Sequence, residues 1–462
     1  MFFFTSAAAW LLVATVLGFL SSLKLRVPGL WDSCEFLTYG RLFPMHMHTL
    51  VYGWAMQAGF GVILWLMARL TRNELKYGTS IIVIGHVWNA GVTLSMIAIW
   101  FGFGRSIPLL DFPVWVWPIL MVSYILVVVG VIPMFQARSG SSNIYISEKF
   151  IVGAVLWFPW IFATSCLLIN KGTAPTIGAG IGAWFVSNLI YFWMAPLALA
   201  IAYYIVPKIA GRPIYSYPLA TASFWLLVIL AGWSGFSRYM GGPMPAWMSA
   251  VSSTAGILIL LAIFATVVNI FLTLKGLSKL WEFSPSLRFT VFGMLMLAIY
   301  AVLAAVSGTY EFGKDLQFSH FLVGLDTLAF YGFFSMTVFG AIYFIVPRIT
   351  GCEWPSGEKI RTHFWFSTYG ILTLVVTMLV GGIAQGGNLA EWDQAFSVSF
   401  VNAGAYVVGR AVAWALIIYS NSIFLYQLTL MFLGKGRKSE GATLIHAEPG
   451  EAANARAAAG LS

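Results

Sequence analysis

Apolar residues run along this chain in long unbroken blocks separated by short polar segments. They do not alternate, and they do not recur on one face of a helix. Each block is long enough to cross a bilayer core of about 30 Å at about 1.5 Å per residue. Twelve can be drawn, at roughly 3–23, 46–70, 79–101, 113–135, 147–169, 180–205, 218–237, 249–274, 288–308, 320–346, 363–384 and 404–433. The pattern predicts an all-α membrane protein of twelve transmembrane helices joined by short loops, occupying residues 1–434. The first block, MFFFTSAAAWLLVATVLGFLSSLK, lacks a basic start and is too long for a typical signal-peptide core, so it reads as the first span. From 435 to 462 the sequence GKGRKSEGATLIHAEPGEAANARAAAGLS, taken from Gly434, offers too little apolar surface to pack and predicts a disordered cytoplasmic tail that includes His446. No short sequence repeat and no soluble domain stand out.

Composition agrees with the pattern and excludes a soluble domain: 60% of the 462 residues are hydrophobic, 9% are charged, and the mean hydropathy is +0.86. The net charge of +9 raises nucleic acid as a partner. The basic residues, however, are scattered singly through short loops with no aromatic-basic run, so no nucleic-acid contact is expected. They report topology instead. With the N-terminus inside, 17 of the 25 Lys and Arg fall in the inner loops and tail, which places both termini in the cytoplasm. Cys34, Cys166 and Cys352 show no CxxC spacing and imply neither a disulfide framework nor a zinc site.

Candidate chemistry begins at the mouth of the second span, in GRLFPMHMHTLVYGW. Burying an imidazole in hydrocarbon costs about 2 kcal/mol or more, and such a group is usually retained because something binds it. His46 and His48 stand about 200° apart around a helix, so only one of them faces a given cofactor. His48 and His320 are expected at the outer interface, where water reaches them, and His363 at the inner one. His86 should lie about 10 Å deep from the inner side. Asn188, Asn269 and Asn421 are expected to bond between helices. Charges fall almost wholly at span ends, which counts against a solute transporter.

Several blocks then point to one family. GRLFPMH followed by VYGW, YYIVPK with RPIYSYPLATASFW at 203–225, HFLVGLDTLAFYGFFSMTVFGAIYFIVPR at 320–348, and HFWFSTYGI at 363–371 resemble subunit I of the cbb-type haem-copper cytochrome c oxidases. The resemblance spans nearly all twelve blocks and implies that family's fold. It also implies a place for each metal ligand. The axial histidine of the low-spin haem in the second span falls on His46, and an arginine for haem propionates falls close to Arg410. The tenth-span pair that ligates both haems registers onto Leu325 and Thr327. The three copper histidines register onto Ser187, Ser237 and Arg238, and the tyrosine cross-linked to one of them onto Ala231.

Copper and haem iron at a dioxygen site are held by neutral imidazole, which serine and leucine cannot replace, and a permanent guanidinium at a copper position repels the cation. Copper is therefore not expected. A haem b would be held by His46 alone, and Phe321, Phe330, Tyr331, Phe333 and Phe334 are bulky enough to fill its place. The reading is a cbb-type subunit I homologue of the bacterial inner membrane without a working oxygen-reducing centre. Its expected partners are other respiratory subunits, including membrane-anchored c-type cytochromes, and the lipid bilayer. A divergent active oxidase subunit, and a transporter or scaffold subunit, are the alternatives.

Overall fold

The computed structural model describes residues 1–138, 144–169, 172–240, 242–277, 279–438 and 442–443. Twelve helices are long and apolar enough to cross a membrane. They are α1 (Phe2–Arg26), α2 (Tyr39–Thr71), α3 (Gly78–Trp100), α4 (Trp117–Gln136), α5 (Ile146–Leu168), α6 (Pro175–Ala210), α7 (Tyr217–Tyr239), α8 (Ala246–Thr273), α9 (Pro285–Ser307), α10 (His320–Thr350), α11 (Gly357–Ala390) and α12 (Phe396–Phe432).

Three of these make the centre of the bundle. The apolar stretches of α2, α6 and α10 are 89%, 94% and 100% buried, whereas those of the other nine are between 33% and 61% buried and face lipid on one side. Each central helix carries a π-helical stretch at mid-length: Thr49–Ala55, Leu189–Met194 and Leu328–Ser335. A π turn adds a residue and frees a carbonyl, and such turns concentrate at functional sites. In α10 the freed Phe330 carbonyl accepts from Ser335 Oγ at 2.7 Å, and the same hydroxyl accepts from Trp54 Nε1 of α2 at 2.7 Å. From α6, Trp193 packs on Phe334 at 5.5 Å. The three π stretches thus meet one another in the core.

A repeat does exist, against the sequence expectation. YYIVPKIAG at 203–211 and YFIVPRITG at 343–351 end α6 and α10 in the same way. In both, a glycine at φ +67° closes the helix and its N–H returns to the proline carbonyl four residues back. Helices α11 and α12 run well beyond the 363–384 and 404–433 blocks, to 34 and 37 residues. They pair along most of their length, α1 packs on α12, and α10 crosses α11 where Gly382 meets the Phe321 backbone. Helix α2 begins at Tyr39, so Pro44 lies inside it and not at its start.

The segment expected to be a disordered tail starts with pairing. Glu353 and Arg437 exchange backbone hydrogen bonds at 2.9 and 2.8 Å, and the Glu353 carboxylate accepts from the Thr443 hydroxyl at 2.7 Å. The remainder of that segment, His446 included, lies outside the described residues.

Candidate functional site

The N-terminal half of α6 and the C-terminal end of α7 meet through a glycine that no other residue could replace cheaply. Gly235 has φ +107°, and a Cβ there would stand 2.8 Å from the Ala183 carbonyl and 2.8 Å from Trp184 Cα. That contact folds the short turn Phe236–Tyr239 against α6. Two further bonds hold it, from Trp184 Nε1 to the Gly232 carbonyl at 2.8 Å and from the Ser237 N–H to Ser252 Oγ at 3.1 Å. As a result Ser187, Ser237, Arg238 and Leu325 line one small cavity of about 40 Å³, closed on the far side by Tyr300 of α9. Four positions separated by up to 138 residues, each assigned from the resemblance, therefore converge on one place.

The group that organises this place is one the sequence reading passed over. Asp326 lies between Leu325 and Thr327, seven residues into α10, and both its carboxylate oxygens take the guanidinium of Arg238 in a two-pronged ion pair. The side chains are 14% and 17% exposed, so the pair is largely dehydrated. Charges were expected only at span ends, and this pair is inside. A lone acid in the apolar run of α10 and a lone cation at the end of α7 were the available signal, since an ionised group is kept inside a membrane only with a partner.

His46 sits apart from this pair. Its Nδ1 is 2.7 Å from the Ala14 carbonyl of α1, so Nδ1 carries the proton and Nε2 holds the lone pair. Its ring meets Trp414 edge-on at 4.8 Å, and Trp414 in turn meets Tyr331 of α10 at 6.3 Å. A Cβ on Gly18 would stand 2.9 Å from both His46 and Trp414. Trp414 therefore stands between His46 and Tyr331 of α10, and of the five aromatic residues expected there Tyr331 is the one in this column. Arg410 is buried with its guanidinium over Phe43 at 5.4 Å, its charge lies near both His46 and His320, and its Nη1 has no hydrogen-bond partner among the described residues. Thr327 is turned away, its hydroxyl donating to the Val323 carbonyl at 2.8 Å.

The interfacial placement of three histidines is corrected by the packing. His48 is fully buried between Tyr52 at 4.9 Å and Phe112 at 5.7 Å, because the loop before α4 folds over the mouth of α2. His363 is fully buried among Phe289, Phe339 and Phe424, with Nδ1 2.8 Å from the Tyr343 hydroxyl, because α11 begins six residues earlier than its apolar run. His320 is 8% exposed and its backbone N–H donates to Gln385 Oε1 at 2.9 Å. His86 packs on Phe2 at 4.6 Å, while His46 bonds Ala14. Twelve residues of α1, about 18 Å, separate the two. Asn421 and Asn269 do bond between helices, to the Tyr331 hydroxyl at 2.7 Å and the Ser216 carbonyl at 2.7 Å, but Asn188 bonds its own helix at Trp184.

No group of three or more His, Cys, Asp or Glu stands where it could hold a metal ion among the described residues. At the convergence of α6, α7 and α10 the donor set is hydroxyl, hydroxyl, guanidinium and an aliphatic chain, which does not fit copper or a haem iron. At His46 the fit is one-sided. The imidazole is oriented as a metal-ligating histidine is, with its other nitrogen on a carbonyl, and α10 returns no second ligand.

The family model for cytochrome c and quinol oxidase polypeptide I matches residues 1–417. The chain is similar to the cbb3-type cytochrome c oxidase subunit CcoN1 of Stutzerimonas stutzeri, 25% identical over 391 residues that cover 82% of this chain and 81% of that one. It is also similar to a cytochrome c oxidase subunit 1 homologue of Agrobacterium tumefaciens strain T37, 23% identical over 458 residues covering 94% and 83%. Among solved structures, a haem-copper terminal oxidase dimer superposes with a TM-score of 0.73 over 99% of this chain and 90% of that chain, at 15% identity. This multi-pass membrane protein therefore belongs to the family of cytochrome c and quinol oxidase polypeptide I, as a subunit I homologue.

Proposed function

We propose that this chain is the subunit I homologue of a cbb-type respiratory complex of a bacterial inner membrane, and that it does not itself reduce dioxygen. The observation that carries the reading is the ion pair between Arg238 and Asp326. A permanent guanidinium stands at a position where the resemblance calls for a neutral copper ligand, and the carboxylate that neutralises it comes from the residue between the two haem-ligand positions. A dehydrated pair of this kind holds its two helices together only while both charges are present. The cavity of about 40 Å³ beside it has room for about one water, far less than a porphyrin needs.

At His46 the chain keeps half of a haem site. A haem b there would be held by His46, with Arg410 as the partner for its carboxylates, and would supply one-electron transfer. The chain's own contribution is orientation: the Ala14 carbonyl fixes the His46 tautomer, and Trp414 fixes the ring plane. The part left to the protein is that of a structural partner for other respiratory subunits, including membrane-anchored c-type cytochromes, with both termini in the cytoplasm.

The same ion pair favours a second reading, solute transport, because an intramembrane acid and base beside a cavity is what transporters keep. Purified chain, produced in cells supplied with haem and copper, separates the readings. The proposal predicts no oxygen uptake with a reduced c-type cytochrome. A carbon monoxide difference band together with oxygen uptake refutes it, and substrate-dependent charge movement in proteoliposomes would favour transport.

A further inference from the structure

Between the outer halves of α2, α6, α7 and α10 and the loop at 101–116 lies a cavity of about 560 Å³. Its size is within the range of roughly 300–1000 Å³ in which small-molecule sites are found. Its mouth is flanked by exposed Gly40, Gly104 and Phe318, so it opens at the outer rim of the bundle. One wall is apolar, with Phe43, Met47, Leu322 and Phe330. Its far end is the Arg238–Asp326 pair, whose charges cancel.

The rest of the lining is cationic and uncompensated. Arg41 rests over Phe36 at 5.4 Å and makes no salt bridge among the described residues, and its Nη1 is buried without a hydrogen-bond partner there. Arg105 donates from Nε to the Phe112 carbonyl at 3.2 Å and from Nη1 to the Ile169 carbonyl at 3.1 Å, which fixes the guanidinium without neutralising it. The one further acid in the wall is Asp111, buried in the loop, whose carboxyl burial pushes up to about 7, so that at neutral pH it offsets only about half of one of the two cationic charges. A half-enclosed site with two unmatched guanidinia at one side and aliphatic and aromatic carbons on the other selects a ligand that is negative at one end and apolar over the rest.

We propose that this cavity binds a small amphipathic monocarboxylate, with its carboxylate on Arg41 and Arg105 and its apolar body against Met47, Leu322 and Phe330. The apolar body displaces water from a wall that cannot hydrogen-bond it. The cavity shares the Arg238–Asp326 pair with the place described above, and its occupancy is read without copper, haem or oxygen uptake.

The test uses the full chain in phosphatidylcholine nanodiscs, with radiolabelled 2-naphthoate as the probe in equilibrium dialysis and empty nanodiscs as the blank. One saturable site per chain is expected, with neutral 2-naphthamide bound at least tenfold more weakly. Arg41→Gln should lower affinity for the carboxylate at least tenfold, and Arg69→Gln, at the opposite end of the same helix, should leave it unchanged. Leu322→Trp, which fills the cavity from the apolar wall and alters no charge, should abolish binding, and it keeps the test decisive if Arg41→Gln fails to fold. No saturable binding above the blank, equal binding of acid and amide, or full binding in Leu322→Trp overturns the proposal. Stoichiometric porphyrin in the purified chain that is lost in Leu322→Trp would overturn it too, by identifying another occupant.

Discussion

Breaking the Arg238–Asp326 pair one charge at a time should cost far more than removing both. Truncating one partner of a buried ion pair typically costs about 3–5 kcal/mol, because the other charge is left without its counter-ion, whereas replacing the pair by apolar residues of similar volume is often neutral or better. Here the side chains retain 14% and 17% exposure and the larger cavity brings water to Asp326, so the lower end of that range applies. Asp326→Leu leaves a guanidinium that cannot lose its proton, and we expect a loss of about 3 kcal/mol. Arg238→Met leaves a carboxyl that can escape the penalty by taking up a proton, so about 2 kcal/mol is expected. The double variant should lie within about 1 kcal/mol of the native chain, which makes the coupling roughly 4 kcal/mol. Denaturant titration of the detergent-solubilised chain, followed by the fluorescence of its 20 tryptophans, gives all four corners of the cycle. Single variants that each cost under about 0.5 kcal/mol, or a double variant equal to the sum of the singles, would show that the pair is not coupled as described.

Two further outcomes follow from the packing and the loop at 101–116. Gly382→Ala places a Cβ 2.0 Å from the Phe321 backbone nitrogen, where neither helix can yield cheaply, so α10 and α11 should separate at a cost of about 3 kcal/mol; an unchanged denaturation midpoint would contradict that crossing. Burial holds the Asp111 carboxyl up at about 7 in the folded chain, whereas the unfolded chain titrates near 4, so the folded state binds the extra proton between these values and stability falls as pH rises through that window. Asp111→Asn removes this dependence. The thermal midpoint of the variant relative to the native chain should climb from pH 5 to pH 8, by the equivalent of about 2.5 kcal/mol, and a pH-independent difference would refute the reasoning.

The membrane class and the twelve helices were legible because long apolar runs have few other uses, and the family followed from blocks whose order and spacing survive in GRLFPMH, YYIVPK and HFLVGLDTLAFYGFF. Helix ends were not legible where the chain turns polar before the helix stops. QGGNLA and FSVSFVNA, at 385–390 and 396–403, read as loop by composition, yet α11 and α12 continue through them because each supplies the other's packing partner. The burial of His48 and His363 depends on Phe112 and Tyr343, residues distant in sequence, and no local pattern announces it. The site itself was half legible. Registering ligand positions from the resemblance read Ser187, Ser237, Arg238, Leu325 and Thr327 as losses, and treating each as a deletion passed over Asp326 between two of them. A deleted ligand leaves space and an unpaired neighbour, so a compensating charge nearby is the physical signal to seek.

The central claim is that an ion pair stands in place of the copper of an oxygen-reducing centre. Its most direct test is the copper-to-protein ratio of the purified chain, measured by elemental analysis after expression with excess copper and dialysis against a chelator. The account predicts a ratio indistinguishable from that of the Arg238→Met, Asp326→Leu double variant and far below one. A ratio near one in the native chain, lost in variants around Ser187 and Ser237, would contradict it.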